Sequence, residues 1–127
     1  MGPTIQQDLY SIVLRFRTYQ IAFTADIAKM YRQVRIHEDR RLQRILWRRS
    51  ADEQLRTYEL STMTYGTASA PYLATRCLQQ LAEDESRNFS LAPETLTNNF
   101  HVDDALCGAN TLEDALRLEQ ELIALLG

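Results

Sequence analysis

Phe100-His101-Val102-Asp103-Asp104-Ala105-Leu106 sets two adjacent carboxylates inside an apolar, strand-like run. Burying acidic groups is expensive unless something cationic joins them, so the stretch points to a metal site built on a sheet. A third carboxylate, Asp26, closes another apolar run, Tyr19-Gln20-Ile21-Ala22-Phe23-Thr24-Ala25-Asp26-Ile27, and only a fold brings it to the other two. Such a trio is the pattern of a two-metal phosphoryl-transfer site, where carboxylates on rigid elements hold two divalent ions about 4 Å apart. Mg2+, with Mn2+ as the alternative, needs only one or two carboxylates plus substrate phosphates, and a backbone carbonyl at Ile27 would supplement them. Asp-Asp also favours turns for purely local reasons, so the neighbouring residues must decide between the two readings.

Around the pair, a strand is expected over about 96 to 102, with Asp103-Asp104 in a tight turn and Ala105-Leu106-Cys107 returning until Gly108. Thr111, with Asp114 three residues on, caps a last helix whose apolar face reads Leu112, Ala115, Leu116, Leu122, Ile123 and Leu126, broken only by Glu119. The polar stretch 83 to 95, containing Pro93, reads as a linker. Ahead of it, Ser69 and Pro71 suit a helix start, with Ala70, Leu73, Ala74, Cys77, Leu78 and Leu81 as the buried stripe. Leu42 to Arg49 and Leu55 to Ser61 flank Ser50-Ala51-Asp52-Glu53-Gln54 as a hairpin, and Val34 and Ile36 suggest a brief strand after a turn at Ala28 to Arg32. Residues 19 to 27 alternate as a strand ending near Asp26, and Leu9, Ile12, Val13 and Phe16 follow Asp8 at helical spacing. This order predicts an α+β fold in which helices pack on one face of an antiparallel sheet and leave the other free for a ligand.

With 127 residues and 45% hydrophobic content, the chain suffices for one modest core, one domain or a piece of one. Basic n-region and apolar h-region are both missing from Met1-Gly2-Pro3-Thr4-Ile5, and every apolar stretch is soon interrupted, so neither secretion nor a membrane span is expected. Cys77 and Cys107 read as free thiols of a reducing compartment, and His37 and His101 are too scattered for zinc. The net charge of −3 conceals an asymmetry: residues 32 to 56 hold eight arginines against four acids, residues 83 to 121 ten acids against two arginines. That division suits a protein that grips a polyanion on one surface and holds cations at another, and equally a solvated charged hairpin.

Phe100-His101-Val102-Asp103-Asp104 resembles the aromatic-X-Asp-Asp box of reverse transcriptases, and Thr24-Ala25-Asp26-Ile27-Ala28-Lys29-Met30-Tyr31 is similar to their first catalytic box. Between them, the stretch from Tyr58 to Pro71, with Tyr65-Gly66, resembles the loop that positions template and nucleotide. The wording of the boxes most resembles the Pao/BEL retrotransposon group, over nearly the whole chain. The resemblance implies a polymerase palm with partial fingers, the fingers-like hairpin covering about 33 to 62. It implies Asp26, Asp103 and Asp104 as catalytic and metal-holding residues, Tyr31 beneath the incoming sugar, Tyr65 and Gly66 lining the nucleotide pocket with His101 beside them, and Arg44, Trp47 and Arg48 on nucleic acid. Partners would be an RNA or DNA template-primer and deoxynucleoside triphosphates, in the cytoplasm within a virus-like particle or in the nucleus. Tyr65 stands where many members carry Gln, and His101 where the catalytic turn has Tyr. The family's basic fingers strands, primer grip, thumb and RNase H region fall outside residues 1 to 127, which implies loss of primer grip and triphosphate affinity, and with them activity, in this chain by itself.

Two other readings remain open from the sequence. One is an inactive remnant or co-opted domain that binds nucleic acid through its arginine hairpin. The other is a receiver-like domain taking up phosphoryl on Asp26, although such domains place the acidic pair first in a parallel α/β fold.

Overall fold

Asp8 opens the first helix by accepting from Ser11 N at 2.9 Å and Ser11 Oγ at 2.6 Å, and α1 runs Leu9–Phe16. The computed structural model describes residues 2–127; Met1, the first residue of the expected domain, lies outside them. After α1 come β1 (Ile21–Asp26), α2 (Met30–Gln33), a 3-10 turn (Asp39–Leu42), β2 (Arg44–Trp47), β3 (Arg56–Glu59) and α3 (Ala70–Asp84). The chain then forms α4 (Ala92–Asn98), β4 (Phe100–His101), β5 (Asp104–Ala109) and α5 (Leu112–Leu126). The fold is α+β. Its main sheet has the order β1-β5-β4 and is antiparallel throughout, which excludes the parallel receiver-like arrangement; β2 and β3 form a separate antiparallel hairpin.

The core gathers Ala70, Ala74, Leu78 and Ala82 of α3, Ala92 and Leu96 of α4, and Leu118 and Leu122 of α5 over Phe100, Ala105 and Cys107 of the sheet. Met30 of α2 and Met63 of the segment before α3 join it, while Ile12 of α1 is buried outside that cluster as α1 packs on β5 and β4. The expected stripes need correction. In α3, Leu73 and Cys77 are exposed, and Ala82 takes the next inward position. In α5 the inward face is Ala115, Leu118 and Leu122, whereas Leu112, Leu116 and Ile123 point outward with Glu119.

The largest departure lies between 83 and 102, where α4 takes the end of the expected linker and the first part of the expected strand, leaving only Phe100–His101 as β4. Pro93 stands in the first turn of α4, where a missing N–H costs nothing. Glu121 reaches across from α5 and accepts from Ser90 N, Leu91 N and Ala92 N at 3.0, 2.7 and 3.0 Å. It thus satisfies the orphan donors at that helix start, a partner no local pattern announces. Ala28 to Arg32 is similarly more than a turn, since Met30 opens α2. The brief strand at Val34 and Ile36 reduces to one bridge, Arg35 to Thr62. β5 does not stop at Gly108; it continues to Ala109, and Gly108 is required because a Cβ there would lie 2.5 Å from the Tyr19 ring.

Candidate functional site

The pairing of β1 with β5 sets Asp26 directly opposite Asp104, and just beyond it Ile27 N donates to Asp103 O at 3.0 Å. Opposed residues of an antiparallel pair share a face with Cβ atoms about 4.5–5.5 Å apart, so two carboxylates project side by side from one sheet end. The turn between β4 and β5 is Val102-Asp103, which places Asp104 in the strand rather than in the expected turn. Asp26 and Asp104 are exposed and Asp103 half-buried. Burial therefore is not what makes the first two costly. Their cost is like-charge repulsion across the strands, which a cation would relieve.

Among the described residues, no group of three or more His, Cys, Asp and Glu side chains forms a ready-made metal cage. The donors are the Asp26 and Asp104 pair, Asp103 at the adjoining position, and the Ile27 carbonyl, which also accepts from Met30 N at 3.1 Å. These hard oxygen ligands fit Mg2+, which is commonly held by one or two carboxylates with the rest of its shell from water and phosphate.

The backbone is strained beside both carboxylate segments. Val102 has φ 59° and Lys29 φ 54°, the two non-glycine residues in the left-handed region among those described. Positive φ at only the first central position of a two-residue hairpin marks a type II′ turn, a place ordinarily taken by Gly. A β-branched residue there costs on the order of 1–3 kcal/mol and persists only when its surroundings enforce it. Gln6 helps to enforce it. Its Nε2 lies 3.0 Å from His101 Nδ1, and its Oε1 accepts longer bonds, both 3.4 Å, from Val102 N and Thr75 Oγ1.

Behind the turn, Asn99 is buried with its polar atoms met: Nδ2 donates to Tyr19 OH and Leu106 O, both at 3.0 Å, and Oδ1 accepts from Arg15 Nη1 at 3.3 Å. Arg15 also donates to Asn98 O at 2.7 Å and Gln7 Oε1 at 2.8 Å, so α1 is tied to the end of α4. Neither Gln6 nor Arg15 carries a sequence signal for this work, because each acts through partners distant along the chain.

Tyr31 and Tyr65 meet edge to face, ring centroids 4.9 Å apart at 65°. The fold thus brings together two of the residues expected at a nucleotide. Gly66 has φ +80° with open space where a Cβ would be, so backbone conformation, not crowding, selects glycine there. His101 is engaged with Gln6. On the hairpin, Trp47 and Tyr58 also meet edge to face, at 6.0 Å and 74°. Arg44 pairs with Glu59 at 3.2 Å, and Arg48 Nη1 donates to Ala51 O at 2.9 Å, so both arginines brace their own hairpin while Trp47 stays exposed. Burial pushes the Cys107 thiol up to about 12. Burial also raises Cys77, with the Arg76 charge opposing it, and neither thiol suits nucleophilic work at neutral pH.

Neither a family model nor a curated protein matches the chain. Among the described residues no helix is long and apolar enough to cross a membrane.

Proposed function

We propose that the chain is a palm with part of the fingers of a Pao/BEL-like reverse transcriptase, adding deoxynucleotides to a primer 3′-hydroxyl on an RNA or DNA template. The observation that carries this reading is Asp26 opposite Asp104, with Asp103 at the adjoining turn. Divalent ions held there would supply charge neutralisation of the transferring phosphoryl group and a more acidic primer hydroxyl. Catalysis of this kind is almost entirely positioning and charge stabilisation. Here β1 and β5 fix the carboxylates, and Gln6 and the strained Val102 fix the turn. Tyr31, braced by Tyr65, would lie under the sugar and exclude a 2′-hydroxyl, the group that separates ribonucleotides from deoxyribonucleotides.

The second reading is an inactive remnant or co-opted nucleic-acid-binding domain, favoured by the exposed Trp47 on an arginine-rich hairpin. Primer extension by the full chain with Mg2+ or Mn2+, with template-primer and triphosphates in large excess to offset a weak grip, separates the two. Incorporation that disappears in Asp103→Ala is the expected result. Template-primer binding without incorporation under any metal would replace the polymerase reading with the binding one.

A further inference from the structure

The connection from α2 to the 3-10 turn folds against the segment after β3 and leaves a cleft of about 540 Å³. Arg32, Arg35, His37 and Arg40 line it together with the hydroxyl residues Ser61 and Thr62. No carboxylate lines this cleft. Glu38 and Asp39 stand between the lining residues His37 and Arg40 and form no ion pair among the described residues, while Glu59 is shared between Arg40 at 3.8 Å and Arg44 at 3.2 Å. Among the described residues neither Arg32 nor Arg35 has a carboxylate within 4.0 Å. The floor is braced by backbone: Ile36 N donates to Ser61 O and Met63 N to Val34 O, both at 2.9 Å, around the Arg35 to Thr62 bridge.

Arginine and hydroxyl side chains lining one cleft over a hydrogen-bonded backbone carry the chemistry that recognises phosphate oxygens, and arginine forks do so with two parallel hydrogen bonds. The geometry points to this cleft as a phosphate-binding site, distinct from the carboxylates and from Trp47. It does not rest on the polymerase reading, because phosphate capture needs neither metal nor catalysis. A nucleic-acid backbone and a free nucleoside triphosphate present the same chemistry, so the experiment must separate them.

The full chain is titrated in EDTA with inorganic phosphate, unphosphorylated oligo(dT) and dTTP, and backbone amide shifts are followed. The expected result is movement of the Ser61 and Thr62 amides with phosphate and with at least one nucleotide probe. Oligo(dT) alone assigns the site to the nucleic-acid backbone, and dTTP alone to a triphosphate. Arg32→Gln with Arg35→Gln should weaken that probe about tenfold or more, and for oligo(dT) flatten the salt dependence by about 1.4 in log–log slope, roughly 0.7 for each lost contact. The hairpin pair Arg49→Gln with Arg56→Gln, an equal charge change, should weaken it less. Silent Ser61 and Thr62 amides in the wild-type chain, or equal losses in the two double variants, would overturn the assignment.

Discussion

Asp26 and Asp104 repel each other across β1 and β5 for as long as no cation lies between them. Asp104→Asn should therefore stabilise the metal-free chain by roughly 0.2–1 kcal/mol, read as a higher urea midpoint in EDTA. Adding Mg2+ should raise the wild-type midpoint through binding to the folded state, and should do much less for the variant. A variant that is less stable in EDTA, or that gains as much from Mg2+, would remove the carboxylate pair as a cation site. That Asp26 would meet the Asp103-Asp104 pair was legible in the sequence, because residue type and chain order carry that information; the nearness of Tyr31 and Tyr65 was implied only by the resemblance. The reason for the carboxylates' cost was not legible. Both carboxylates occupy apolar runs, yet the strand ends leave them exposed, and alternation along a run says nothing of how near its end lies to solvent. Gln6 was beyond reading for a related cause: its partners, His101 and Val102, stand far along the chain.

At the scale of elements, α4 depends on a carboxylate that belongs to α5. Burial pushes Glu121 up, but the N–H groups of Leu91 and Ala92, the Ser90 side chain and the Arg117 charge together outweigh it and hold the carboxyl below its usual value. A carboxylate so lowered contributes its full stability above the unfolded value, about pH 4.3, and loses it as pH falls through the lower folded one. Glu121→Ala should cost about 0.5–2 kcal/mol near neutrality, the range of a lost helix cap. That difference from wild type should hold steady down to about pH 5 and shrink in more acidic solution, as measured by denaturation at a series of pH values. A difference that grew on acidification would mean the carboxylate does not act as the cap. The helices with local caps, α1 after Asp8 and α5 after Thr111, were readable because cap and helix adjoin. With its acceptor on another element, α4 read as the end of a linker and the start of a strand, and Pro93 looked like an interruption when it is a beginning.

The whole molecule is unusually open. Its accessible surface is 9103 Å², whereas a folded monomer of 14.7 kDa is expected to expose about 6,900 Å². Three apolar faces account for the character of that excess. Leu9, Tyr10, Val13 and Leu14 stand out from α1; Leu42, Leu46, Trp47 and Leu55 from the hairpin region; and Leu112, Leu116 and Ile123 from α5. A two-stranded hairpin exposed along both strands has little to hold it, since independent stability needs a third strand or a packed face. The core beneath draws much of its membership from alanine, with Ala70, Ala74, Ala82, Ala92 and Ala105 beside Phe100 and a few leucines and methionines, so burial contributes modestly per residue. A chain of this kind should melt below about 45 °C, under the range usual for mesophilic domains, and should bind a hydrophobic dye such as ANS in native buffer. Acrylamide should quench Trp47 nearly as well in the folded chain as in urea, because the indole is 49% exposed and touched edge-on by Tyr58. The same openness places the apolar and cationic surfaces beside one another on the hairpin, so a ligand that covers Trp47 or fills the arginine cleft should raise the melting midpoint with the logarithm of one plus its concentration over its Kd. A cooperative transition above 65 °C without dye binding would show that these three faces are already covered, and that the exposed arrangement of α1, the hairpin and α5 is not the one in solution.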